Sequence, residues 1–112
     1  MLTTIHSSNE LSKLMECDEV PLLMVCMTNN ETYYEQIEIV RSVSDTFSDS
    51  LRICMVAEEF VASVCRKYEV KGTPTFIFFT QGNEADRILG FTDKDTLINR
   101  VNRNIKTAEE AR

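Results

Sequence analysis

Four cysteines, one histidine and a proline set between two threonines are the residues of this chain with chemistry to offer. A thiolate is both nucleophile and metal ligand, so Cys17, Cys26, Cys54 and Cys65 are considered first. No two of them stand close enough for a Cys-x-x-Cys pair. Cys26 and Cys54 lie within apolar runs of strand length and Cys65 on the apolar side of a helix, where a free cysteine behaves as a small hydrophobe. Cys17, at the end of the first helix, is the candidate for an exposed thiol, and Cys26 with Cys54 is the candidate neighbouring-strand pair. His6 has no Cys or His at metal-ligand spacing, so neither a metal site nor a cofactor is expected. Asn30-Glu31-Thr32 has the form of a glycosylation acceptor, but with no secretion signal it reads as a helix cap. In Lys71-Gly72-Thr73-Pro74-Thr75, the proline cannot donate to a sheet ladder and so must open a strand or precede it. Only X-Pro bonds carry the cis isomer at a tolerable cost, roughly 0.5–1 kcal/mol. Thr73-Pro74, entering a strand behind a glycine, is the expected site.

The elements that must position these residues follow from periodicity. Thr3-Thr4-Ile5 is a short edge strand. Ser7 with Glu10 forms a capping box opening a helix whose apolar side is Leu11, Leu14 and Met15, and Pro21 stops it. Leu22 to Met27 is a continuous apolar run, as in a strand buried on both faces. Thr32 with Glu35 is a second capping box, with Asn29 or Asn30 as alternative caps, ahead of a stripe of Tyr33, Ile37, Val40, Val43 and Phe47. Leu51 to Val56 is the next strand, and Phe60, Val61, Val64, Cys65 and Tyr68 mark a shorter helix with Glu58 and Glu59 at its favourable end. Phe76 to Phe79 is apolar on both faces, Gly82 marks a turn, and Arg87-Ile88-Leu89 ends at Gly90. Thr92 with Asp95 starts a last helix faced by Leu97, Ile98, Val101 and Ile105, and residues 106–112 read as a fraying polar tail. The order β-α-β-α-β-α-β-β-α predicts an α/β fold. Its sheet is mixed and five-stranded with helices on both faces, three strands parallel through right-handed crossovers and the final pair a hairpin.

With 112 residues, 43% of them apolar, the chain is expected to form one domain over 1–112. No apolar run is long enough to span a bilayer. The first residues lack a basic stretch followed by an apolar one, so a reducing, cytoplasmic setting with free thiols is expected. A net charge of −6 excludes a nucleic-acid footprint and leaves some preference for basic partners.

The element order, Val-x-Gly-x-Pro-Thr at 70–75, and glycines at 82 and 90 together resemble the thioredoxin family over nearly the whole chain, from Ile5 to about Ile105. That resemblance implies a dithiol, Trp-Cys-Gly-Pro-Cys, at the N-terminus of the second helix, where the helix end lowers a thiol's pKa. The corresponding positions here are Asn30 and Tyr33, or Glu31 and Tyr34, and the chain contains no tryptophan. The aspartate that the family buries beneath its dithiol falls at Val25, and the lysine of the neighbouring strand falls at Met55. Four parts of the redox site are replaced together while the scaffold stays.

What the resemblance leaves is the loop before the proline, whose backbone pairs with extended substrate segments in the family. Here it is Thr73-Pro74, with walls expected from Asn30, Glu31, Thr32, Tyr33, Tyr34 and Phe91. The two tyrosines serve either as such walls or as packing for their helix. The expected function is therefore a thioredoxin-like module that binds a protein or extended peptide without dithiol chemistry. A thiol-disulfide oxidoreductase using Cys17 is the alternative.

Overall fold

The computed structural model describes residues 2–16 and 19–111. In chain order these form β1 (Leu2–Ile5), α1 (Ser8–Glu16), β2 (Leu22–Cys26), α2 (Tyr33–Thr46), β3 (Arg52–Val56), α3 (Glu58–Lys67), β4 (Thr75–Thr80), β5 (Asn83–Leu89) and α4 (Lys94–Glu110). The strands make one sheet in the order β1-β3-β2-β4-β5. β1 and β2 run parallel to β3, β4 runs antiparallel to β2, and β5 antiparallel to β4. It follows that β1, β2, β3 and β5 all end, and β4 begins, at one end of the sheet. The loops leading into α1, α2, α3 and α4 gather there around the start of β4.

Every residue of β2 is buried, because helices cover both faces of the sheet. The alternation of a strand then divides its side chains between two cores. Leu22, Met24 and Cys26 join Cys54, Ile77 and Phe79 beneath Leu11 of α1 and Phe60, Val61 and Val64 of α3. Leu23 and Val25 join Ile53, Met55, Phe76 and Phe78 beneath Val40 and Val43 of α2 and Leu97 and Val101 of α4. Gln81 and Gly82 link β4 to β5 with positive φ at both positions, as a tight type I′ hairpin turn requires. Phe78 pairs with Asp86 and Phe79 with Glu84, so Ala85 forms a bulge in the edge strand.

At α1, the Ser7 hydroxyl accepts from the Glu10 N–H, while the Glu10 carboxylate reaches one residue further back than a capping box requires, to the N–H of His6. His6 in turn pairs with Glu59 at 2.8 Å, and that hydrogen bond raises the imidazole's pKa above its ordinary value. Three expectations need correction. Thr32 stands at the N-cap of α2 without capping it, because its hydroxyl and N–H both donate to the Asn30 side chain. The cap of α4 is Asp93, which accepts from the Thr96 N–H at 2.8 Å, and Thr92 is buried against α2 instead. Residues 106–110 continue α4, because Ala108 is buried and holds the last turns onto the protein.

α4 is fastened to β5 through Asp86. Its carboxylate accepts from Arg100 at 3.0 Å, Arg103 at 2.9 Å and the Asn104 amide at 3.0 Å. Burial alone would raise the pKa of Asp86, but these donors and the N–H of Arg87 outweigh it and hold the carboxyl below its ordinary value.

Candidate functional site

The Thr73-Pro74 bond is cis. Pro74 is buried, and its carbonyl accepts from the Gly90 N–H at 2.8 Å. Thr75, the first residue of β4, pairs with Leu89, the last of β5. On the other flank the Thr73 hydroxyl lies 2.7 Å from that of Thr28, just beyond β2. Thr73 is thus held between the exits of β2 and β5, half-buried. Among the described residues, neither its N–H nor its C=O has a hydrogen-bond partner. An extended backbone placed alongside would meet one free donor and one free acceptor.

The loop after β5 is locked to α2 by a residue absent from the sequence-based stripe. Gln36 is fully buried. Its amide donates to the Thr92 carbonyl and accepts from the Thr92 N–H, both at 2.9 Å, so one side chain satisfies both backbone groups of one residue. Phe91, the preceding residue, is turned outward and 42% exposed. Leu89 is 63% and Tyr34 73% exposed. All three stand at the end of the sheet where β4 begins.

Part of the expected site is not brought together. Tyr33 and Tyr34 meet edge to face at 5.3 Å, and they share a cleft with Met55 and Val56 of β3 that excludes Thr73 and Pro74. They line a cleft of about 220 Å³ with Met27, Asn29, Met55, Val56 and Glu58. Tyr33 is half-buried and packs on the core shared by α2 and α4, so it is chiefly a packing residue, whereas Tyr34 is open. Among the described residues, no hydrogen bond or ring contact joins either tyrosine to Thr73, Pro74 or Phe91. Asn30 and Thr32 bond to each other, shaping the loop before α2, and Glu31 is exposed beside them. Leu89, Thr28 and Gln36 were missed. The sequence signal for Leu89 was its place just before Gly90; a glutamine within an apolar stripe gives none.

The thiols are placed plainly. Cys26 and Cys54 are fully buried, and burial pushes both up to about 12. They are not cross-strand partners, since Cys54 stands opposite Met24. Both are free, as is the half-buried Cys65, which packs on the same core. Cys17 lies outside the described residues. Val25 and Met55 pair in register, both buried, with Phe76 on the other side of Val25.

A parallel core of β1, β3 and β2, an antiparallel β4-β5 hairpin and helices on both faces define a thioredoxin-like fold. Two solved thioredoxins share it. One is a mutant from Halobacterium salinarum, at a TM-score of 0.81 and 15% identity, covering 93% of this chain and 90% of that one. The other, from Nicotiana alata, has a TM-score of 0.78 and 20% identity, covering 92% and 91%. The thioredoxin family model matches residues 38–103, more than half of the chain, and the chain belongs to that family. It is 31% identical over 70 residues to the chloroplastic thioredoxin Y1 of Arabidopsis thaliana, covering 62% of this chain and 41% of that protein. It is 45% identical over 38 residues to a thioredoxin of Chlamydia caviae, covering 34% and 37%. The matches thus span less than half the length of these relatives. No helix among the described residues is long and apolar enough to cross a membrane.

Proposed function

We propose that this chain, acting as a single domain, is a redox-inactive thioredoxin that binds an extended segment of another protein at Thr73-Pro74. The observation that carries the reading is the unpaired backbone of Thr73, set between the exits of β2 and β5 with Leu89 and Phe91 beside it. A short β-augmentation uses such a backbone for affinity and the flanking apolar surface for selection. Phe91 and Leu89 are the anchors. The Tyr33 N–H donates to the Asn30 carbonyl at 3.1 Å and closes the loop of Asn30, Glu31 and Thr32.

Inactivity as an oxidoreductase rests on the absent dithiol and on the buried thiols. Burial pushes Cys26 and Cys54 up to about 12, so both stay as thiols at neutral pH, and both lie beneath the surface. Free thiols suit a reducing compartment such as the cytoplasm.

Two assays test this function. Insulin reduction driven by dithiothreitol is expected to match the buffer control; turnover above it that Cys17→Ser abolishes would establish the oxidoreductase alternative. Pull-downs with Phe91→Ala are expected to lose captured protein, since truncating such an anchor costs ~1–2 kcal/mol of binding or more. Thermal stability should stay within about 0.5 kcal/mol, as for an exposed side chain. Capture unchanged in Phe91→Ala and Leu89→Ala alike would contradict binding at this loop.

A further inference from the structure

We propose that the segment this groove accepts is a basic one: an extended stretch of polypeptide carrying lysine or arginine on either side of an apolar residue. The inference rests on the groove reading above and adds the chemistry of the occupant.

The topology brings the first turns of α2, α3 and α4 to the end of the sheet where Thr73 lies, and each is acidic. Glu31 and Glu35 stand exposed before and within the first turn of α2. Asp93 caps α4 two residues after Phe91, its charge fixed by the Thr96 N–H. The lysines nearest in the chain are Lys71, just before the Gly72-Thr73 turn, and Lys94. Neither makes an ion pair among the described residues. Glu31, Glu35, Asp93 and Asp95 outnumber these two lysines, so the rim carries a net negative charge, on a chain whose net charge is −6.

The centre of the surface is apolar, and its backbone pair at Thr73 is neutral. An apolar residue between Leu89 and Phe91 would bury carbon, while flanking cations would meet carboxylates that remain hydrated. Such rim pairs add little each, but summed they steer encounter and select by sign. An acidic segment would bring like charges together at Glu31, Glu35, Asp93 and Asp95 and meet opposite charge only at Lys71 and Lys94.

Fluorescence anisotropy with two labelled peptides tests this. Both would be extended hexapeptides with a Val-Leu centre, one flanked by two lysines at each end and the other by two glutamates. At low salt the basic peptide is expected to bind at least about tenfold tighter, with the gap narrowing severalfold as ionic strength shortens the Debye length to about 3 Å at 1 M. Glu31→Gln with Asp93→Asn should shrink the preference, measured beside the weak binding of an uncharged Val-Leu peptide. A second cap variant, Asp93→Ser, retains a capping oxygen and keeps the result readable should the asparagine weaken α4. Equal binding of the two charged peptides, or preference for the acidic one, would overturn the basic occupant while leaving the groove itself standing. Binding of none of the three peptides would overturn both.

Discussion

Replacing Gln36 with leucine is expected to destabilise the protein by about 2–4 kcal/mol, although the side chains are close in size. Gln36 is fully buried, and its amide holds both the N–H and the C=O of Thr92 at 2.9 Å. Leucine removes two hydrogen bonds and leaves two buried backbone groups unsatisfied, each worth about 1–3 kcal/mol when orphaned. Thr92 is itself 3% exposed, so water reaches it only if the loop opens. For a chain of this size the melting temperature should fall by roughly 10 °C or more. Because Phe91 is the adjacent residue, peptide binding should weaken as well, and Gln36→Glu at a pH that protonates the carboxyl should recover part of both. Urea midpoints of the two variants against the unaltered protein measure the effect. A loss within about 0.5 kcal/mol for leucine would mean that the loop is held by other contacts.

Val25→Asp is expected to have the larger effect. This substitution introduces the carboxylate that the family resemblance implies at this position. Here the position is fully buried and paired in register with Met55 and Phe76, neither of which can hydrogen-bond a carboxylate through its side chain. An uncompensated buried charge costs about 3–5 kcal/mol, a large part of the total stability of an ordinary domain. The penalty has a definite pH dependence. Burial raises the folded-state pKa of the new aspartate above its unfolded value of about 4. In that window the native state binds more protons than the unfolded one, so stability falls as pH rises from about 4 to the folded pKa. Acidification should correspondingly recover part of the loss. Urea unfolding at neutral pH and near pH 4.5, with the unaltered protein subtracted, gives the difference. A loss under about 1 kcal/mol, or one that deepens on acidification, would show that Val25 is reached by water or a partner group.

These two positions also show what the sequence made legible. The five strands, the four helices and the Thr73-Pro74 turn were readable because β2 and β4 are apolar on both faces and because glycine and proline mark the turns. Val25 was readable as a buried strand residue, since the run from Leu22 to Met27 is apolar without a break. Gln36 was not. Its role depends on a contact between residues 56 positions apart, and a polar side chain on an apolar helix face gives no sign of which distant backbone it satisfies. The same limit explains the tyrosines. Their spacing from the strand placed them at the start of α2, but helix rotation decided that they turn toward Met55 rather than Phe91. The α4 cap was misplaced by one residue because Thr92 and Asp93 are both good caps, and the buried contact with Gln36 claims Thr92.

Titrating the ¹⁵N-labelled protein with the unlabelled lysine-flanked peptide probes directly whether an extended segment pairs with the loop at Thr73. The amides of Thr73, Gly90, Phe91 and Thr92 are expected to shift most, in a saturable manner. The amides of β1, at the far edge of the sheet, should not move. Shifts confined to Asn29, Met55 and Glu58 around the tyrosine cleft, or no saturable shift at Thr73, would contradict binding at the cis-proline loop.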